Sequence, residues 1–277
     1  MSLEVFGDLP LNLVLVRHGR SARNAASSAH RNEGIALPDW FKKEHDSFTV
    51  LAPEAIEQTE ITGIFLEREF PSGFDRYITS DIPRAMHTAA CLALTGAQWE
   101  VRGFWRERDW GEHMNFVDGV PEEYRPSHDL KELNPYQWGP RGGESMSTGV
   151  ATRLRLEEFE LRETPPANNV IVISHGDFIT GALKDFENVT ISEWNARYLR
   201  RSREVANNMV VHLQRSAEVP FYQKLRGICA WDKNRSWNEG EWIDIHPQTK
   251  YSNAELLELA KQALPQAMLH AEVGGDF

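Results

Sequence analysis

Two histidines follow apolar runs that share one local pattern. Residues 13–16 lead into the tripeptide Arg-His-Gly, with the histidine at position 18, and residues 170–173 lead into Ser-His-Gly, with the histidine at position 175. Short runs of branched aliphatic residues are typical of strands buried on both faces of a parallel sheet. Ligands bind at the carboxyl ends of such strands. Either histidine alone would be interpreted as an ordinary strand-end residue, but the repeated pattern favours one site that contains both His18 and His175.

Two arginines are placed where they could hold a phosphate group. Arg17 precedes His18, and Arg84 follows a predicted strand at residues 76–79 and opens a predicted helix at residues 82–94. A planar guanidinium group binds phosphate through two parallel hydrogen bonds, and a helix start adds backbone N–H donors. Each arginine alone could be a surface charge. At the ends of strands that share a sheet, the two are candidate phosphate ligands.

The elements that must position these residues alternate along the chain. Strands are predicted at residues 13–16, 76–79, 99–101, 170–173 and 209–213. Helices are predicted between them at residues 53–70, 82–94 and 145–162. This alternation predicts an α/β protein, a three-layer α/β/α sandwich around a mainly parallel sheet.

The domain organisation predicted from the sequence is one large domain with an extension. The domain covers residues 1–215 and carries insertions at 25–49, which is polar and irregular, and at 113–143, which is rich in proline, glycine and aromatic residues. Long insertions of this kind often cover a binding site. Residues 216–277 are interpreted as a C-terminal extension packed on the core, which includes an amphipathic helix at 254–263. A homodimer contact is a further role open to this extension.

The composition excludes several classes of partner. Lysine and arginine number 30 against 41 acidic residues, which gives a net charge of −11. Such a surface repels nucleic acid and anionic membranes, so a phosphate site must be a local basic pocket. The sequence lacks an apolar stretch of about 18 residues that could cross a membrane, and it shows no signal peptide pattern. We therefore expect a cytoplasmic protein with neither nucleic-acid nor membrane partners.

Cys91 and Cys229 have no metal-type spacing, so no metal is expected.

The ordered set of motifs resembles the histidine phosphatase superfamily, in its phosphoglycerate mutase-like branch. The resemblance covers residues 12–214, and residues 51–58 also resemble the family's helix-opening segment, although Ala52 replaces the usual threonine. A single Arg-His-Gly tripeptide is weak evidence, but the ordered set is specific. The motifs that carry it are Arg17-His18-Gly19, Asn24, residues 80–84 with Thr88-Ala89, Glu107, Gly142-Gly143-Glu144-Ser145 and Ser174-His175-Gly176.

The resemblance implies a role for each matched residue, a small phosphorylated substrate and no cofactor. His18 would be the nucleophile that forms a phosphohistidine, and Glu107 would protonate the leaving oxygen. Asp109 and Glu112 lie in the same short segment and are alternative acids. The phosphoryl oxygens would be held by Arg17, Asn24, Arg84 and His175, and candidate substrate contacts are Arg20, Ser21, Arg108 and Gly176. Arg20 stands where the family often has Glu or Gln, and a solvent-facing arginine is the alternative.

The implied chemistry follows from simple electrostatics. An imidazole must be neutral to attack phosphorus, and nearby arginines lower its pKa so that it stays neutral at pH 7. The same arginines neutralise the equatorial oxygens without a metal. Glu107 must carry a proton near neutral pH, so we expect partial burial or a neighbouring carboxylate to raise its pKa.

Three functions fit these motifs. A phosphatase passes the phosphoryl group to water, whereas a phosphoglycerate mutase returns it to a bound product. In mutases the acid is usually followed by Arg-His-Tyr-Gly, whereas here it is followed by Arg-Asp-Trp-Gly. Mutases also carry paired arginines further along the chain, whereas residues 114–140 contain a single arginine, Arg125. These differences favour hydrolysis. A phosphate-binding module without turnover is the third function, although both histidines are retained.

Overall fold

A computed structural model of the chain describes residues 7–163, 165–247 and 250–258, and a seven-stranded sheet lies at its centre. The strand order is β3-β2-β4-β1-β5-β6-β7. The strands are β1 (Asn12–Arg17), β2 (Arg76–Ser80), β3 (Trp99–Arg102), β4 (Asn169–Ser174), β5 (Val210–Gln214), β6 (Lys224–Ile228) and β7 (Ile243–Asp244). The first four strands are parallel where they pair, and β5, β6 and β7 add antiparallel pairs. The predicted α/β fold with a mainly parallel core is confirmed.

The central position of β1 and β4 in the sheet explains why their sequences are continuously apolar. Leu13 and Leu15 of β1 belong to one hydrophobic core, and Val14 and Val16 belong to a second core on the other face of the sheet. Because successive side chains of a strand point to opposite faces, a strand with a core on each side needs an apolar residue at every position. The central sheet is therefore the middle of three layers.

Helices cover both faces. They are α1 (Ala22–Glu33), α2 (Trp40–Lys43), α3 (Ala55–Glu69), α4 (Pro83–Cys91), α5 (Arg125–Leu133), α6 (Ala151–Glu160), α7 (Gly176–Glu187) and α8 (Ile191–Leu199), and a π-helical turn, Met146–Val150, precedes α6. The predicted helices at residues 53–70, 82–94 and 145–162 are confirmed as α3, α4 and the π-turn with α6. Helices α7 and α8 were not predicted.

The prediction that the first insertion is irregular was wrong. It contains α1, which begins with a reciprocal capping box between Ser21 and Asn24, and the short helix α2. Helix α1 has few apolar residues, so it gives no hydrophobic stripe at helical spacing, and capping residues carry the signal instead. The second insertion, at 113–143, contains α5.

Residues beyond 215 continue the sheet. Strand β6 pairs with β5, β7 pairs with β6, and the side chains of Tyr222 and Trp237 enter the first hydrophobic core. The two strands were not predicted from the sequence. The helix predicted at 254–263 is described only as far as residue 258, and its remainder lies outside the described residues. None of the helices in the described ranges is long and apolar enough to cross a membrane.

Candidate active site

Parallel pairing of β1 with β4 brings the two histidines together. Arg17 is in register with Ser174, so His18 and His175 leave the sheet at the same edge. Their ring centroids are 5.0 Å apart with planes inclined by 59°. Both side chains are buried, with 3% and 0% exposure. The adjacency that the repeated strand–His–Gly pattern suggested is present in the structure.

The surroundings of His18 select one tautomer. Its Nδ1 lies 2.6 Å from the carbonyl oxygen of Gly19, and because a carbonyl only accepts, Nδ1 carries the proton. Arg84 Nε donates to His18 Nε2 across 3.0 Å, so Nε2 holds a lone pair. Burial, reinforced by Arg84 and Arg17, lowers the pKa of His18 well below its usual range. His18 is thus a neutral imidazole whose Nε2 carries the lone pair that a nucleophile needs.

A serine holds the second histidine. Ser80 Oγ lies 2.9 Å from His175 Nε2 and accepts a hydrogen bond from the amide of Ile82 at 3.3 Å. Burial, followed by Arg84 and His18, lowers the pKa of His175 well below its usual range. Nδ1 is buried and has no partner among the described residues.

Arg17 presents a second buried donor. Its Nη1 donates to the carbonyl of Val205 across 2.6 Å, while its Nε is buried without a partner in the described part of the chain. A Cβ at Gly176 would lie 3.1 Å from the Cζ and Nε of Arg17, so the missing side chain allows the guanidinium to pack against the start of α7. Gly176 therefore acts through the placement of Arg17.

Arg84 is held by an aspartate that the sequence did not single out. Arg84 Nη1 lies 2.7 Å from the carbonyl oxygen of Asp46 and 2.9 Å from its carboxylate Oδ2. Asp46 lies 38 residues before Arg84, in a short 3-10 turn of the first insertion. No local motif marks it, because its importance comes only from where the insertion folds.

Glu107 lies at the N-terminus of α7. The amides of Asp177 and Phe178 donate to its two carboxylate oxygens at 3.3 and 3.2 Å. Burial and then the negative charge of Asp177 raise the pKa of Glu107 to about 7. A carboxyl group with this pKa can donate a proton at neutral pH.

The two alternative acids are placed differently. Asp109 is exposed, and its Oδ1 accepts from the amide of Gly111 at 2.7 Å. Glu112 accepts a hydrogen bond from the hydroxyl of Tyr124. Neither lines the cavity that contains His18.

Two adjoining cavities open at this edge of the sheet. The first, about 490 Å³, is lined by the predicted residues Arg17, His18, Asn24, Arg84, Glu107 and Gly176, together with Asp46, Lys131, Tyr198 and others. The second, about 1130 Å³, shares Asn24, Asp46, Arg84, Glu107 and Trp110 with the first. The sequence had not indicated Lys131 or Tyr198, which come from α5 and α8.

Three predicted substrate contacts have side chains that interact with other residues of the protein. Ser21 is 1% exposed and its hydroxyl caps α1 by accepting from the amide of Asn24. Arg20 lies 3.6 Å from Glu54 and lines neither cavity. Arg108 lines the second cavity and donates to Asp177 across 2.7 Å.

The positive charge of this site comes from arginine. Within the ranges that the structure describes, no group of three or more His, Cys, Asp or Glu side chains is arranged to hold a metal ion. Arg17 and Arg84 line the same cavity as His18.

Solved structures with the same fold include several phosphatases. A putative α-ribazole-5′-phosphate phosphatase from Escherichia coli K-12 superposes with a TM-score of 0.57 at 16% identity, covering 88% of this chain and 100% of that one. A mycobacterial glucosyl-3-phosphoglycerate phosphatase in complex with VO3 gives 0.52 at 20% identity, with 73% and 92% covered. A mycobacterial protein called hydrolase 1 gives 0.55 at 21% identity, with 76% and 95% covered. At these identities the likeness establishes the fold alone.

Sequence comparison supplies the family. No curated protein matches the chain significantly. The profile of the histidine phosphatase superfamily (branch 1) matches residues 13–215, which is most of the chain and includes β1 to β5 with both histidines. On this match, the chain belongs to the histidine phosphatase superfamily, branch 1.

Proposed function

We propose that this protein hydrolyses a phosphate monoester through a phosphohistidine on His18. The observation that carries the proposal is a pair of buried nitrogen atoms, Arg17 Nε and His175 Nδ1, that lack partners among the described residues. Buried donors without partners cost free energy. Both nitrogens belong to side chains beside His18: Arg17 is its neighbour in the chain, and the His175 ring centroid lies 5.0 Å from that of His18. With Nδ1 protonated, both would donate to the oxygens of a phosphoryl group.

In the first step, His18 Nε2 attacks phosphorus and the bond from phosphorus to the ester oxygen breaks. Glu107 gives its proton to the departing oxygen, which leaves as an alcohol. Arg17, Arg84 and His175 stabilise the charge on the transferring oxygens. Protonated Glu107 is available for this role because its pKa is raised to about 7.

In the second step, water attacks the phosphorus of phospho-His18. Glu107, now a carboxylate, takes a proton from that water, and the bond from Nε2 to phosphorus breaks. Inorganic phosphate leaves, and His18 and Glu107 return to their starting protonation states. Dividing the displacement in two replaces one difficult step by two easier ones.

Hydrolysis is favoured over mutase chemistry by the residues around the acid. Glu107 is followed by Arg-Asp-Trp-Gly rather than the usual mutase sequence, and the paired arginines of mutases are missing from residues 114–140. The names of the similar solved structures, which include two phosphatases, support the same choice.

The deciding experiment compares two assays on the purified protein. We expect inorganic phosphate release from simple monoesters such as p-nitrophenyl phosphate, unaffected by 2,3-bisphosphoglycerate. The second assay follows conversion of 3-phosphoglycerate to 2-phosphoglycerate. Rapid conversion that depends on the bisphosphate, with negligible phosphate release, would establish a mutase. Phosphate binding without turnover in either assay would establish a binding module.

A further inference from the structure

Asp46 places a carboxylate on one of the proposed phosphate ligands. Its Oδ2 lies 2.9 Å from Arg84 Nη1, while Oδ1 lies 3.9 Å from Arg23 Nε. The Asp46 side chain is 28% exposed and lines both cavities. An anionic group therefore already contacts Arg84 at the edge of the space where the phosphoryl group would bind.

The carboxylate is not the only contact that holds Arg84. Arg84 is 3% exposed, and its Nε is bonded to His18 while Nη1 is bonded to the backbone carbonyl of Asp46. That carbonyl is itself fixed, because the amide and hydroxyl of Thr49 donate to it at 3.2 and 2.9 Å. The backbone of Asp46 thus anchors the arginine, and its side chain can rotate without releasing that anchor.

We propose that the Asp46 carboxylate is an internal competitor of the phosphoryl group for Arg84. It neutralises the guanidinium when the site is empty, and a bound phosphate dianion displaces it toward solvent by side-chain rotation. Like charges on one guanidinium repel each other, so the carboxylate weakens the binding of substrate and of the product phosphate alike. Asp46 is a residue that sets affinity for the phosphoryl group and limits inhibition by product. The inference rests on the proposed role of Arg84.

The test measures phosphate affinity in variants that keep the Asp46 carbonyl. Asp46→Asn and Asp46→Ala remove the charge, and we expect each to bind inorganic phosphate about tenfold more tightly than the unaltered protein, the scale of one charge-assisted hydrogen bond. Isothermal titration calorimetry gives the dissociation constants, and inhibition by orthovanadate should strengthen in parallel. KM for p-nitrophenyl phosphate should fall by a similar factor. Asp39→Asn is the matched control, since Asp39 is an exposed acid on the same insertion.

A positioning role for the carboxylate would give the opposite result. Phosphate binding that weakens or stays unchanged in both variants would overturn the proposal. A structure of the unaltered protein with bound phosphate tests it without a variant: the Asp46 carboxylate should have left Arg84, and its retention there would also overturn it. Because binding is measured without turnover, tighter phosphate binding by the variants of a protein that hydrolyses no ester would refute only the phosphatase function.

Discussion

Arg84 Nε and His18 Nε2 are joined by a hydrogen bond of 3.0 Å. The proposed phosphate ligand therefore occupies the lone pair of the proposed nucleophile. A phosphoryl group must come between the two side chains, so that Arg84 turns its donors to the oxygens and Nε2 faces phosphorus. Binding of the phosphoryl group and release of the His18 lone pair are therefore coupled, because both require the bond between Arg84 Nε and His18 Nε2 to break.

Removing the nucleophile should abolish turnover. His18→Ala should lower kcat by at least about 10³-fold, because it removes the imidazole on which the proposed covalent intermediate forms. It should also abolish the acid-labile labelling of the protein by a ³²P-phosphorylated substrate. His87→Ala is the control, since His87 lies one turn after Arg84 on α4 but lines neither cavity. Labelling that survives in the His18 variant would assign the nucleophile elsewhere.

The acid can be identified through the leaving group. Glu107→Gln cannot donate a proton, so hydrolysis of an alkyl phosphate should slow about 10²- to 10⁴-fold. The first step with p-nitrophenyl phosphate, measured as kcat/KM, should slow much less, because nitrophenolate leaves without a proton. Asp109→Asn and Glu112→Gln should affect both substrates equally and weakly. Equal losses on both substrates in the Glu107 variant would transfer the acid role to one of these two residues.

The pH profile should depend on Asp177. Burial and then the charge of Asp177 raise the pKa of Glu107 to about 7, so the protonated acid is lost as the pH rises through that value, and kcat/KM for an alkyl phosphate should fall there. Asp177→Asn removes the neighbouring charge, so the pKa of Glu107 should drop and the fall should begin about one pH unit lower. The exposed Asp185 on the same helix provides the control variant Asp185→Asn. An unshifted alkaline limb would show that another group controls it.

Activity should survive removal of divalent metals. Arg17 and Arg84 supply the charge that a metal would otherwise provide to the transferring oxygens. Dialysis against a chelator should leave phosphate release within about twofold of its starting rate, which is small beside the several kcal/mol that a catalytic metal contributes. A loss of activity that magnesium or zinc restores would contradict this mechanism.

Local sequence patterns were enough to predict the centre of the fold and much of the candidate site. The apolar runs before His18 and His175 require a core on each face, so they can only be inner strands, and their histidines must emerge at a sheet edge. The start of α4 near Arg84 is likewise predicted by a neighbouring residue, since Pro83 occupies the first turn of the helix. These features follow from side chains within a few residues of one another.

Other features of the site and the sheet depend on contacts between segments that are distant in the chain. The contact between Asp46 and Arg84 depends on the path of the first insertion, and the raised pKa of Glu107 depends on burial beside the start of α7, which is 70 residues away at Asp177. Likewise, β6 and β7 became strands because β5 offered an open edge to pair with. Such contacts join segments that are far apart in the chain, and no pattern within either segment encodes the partner, because burial and pairing are properties of the assembled surfaces.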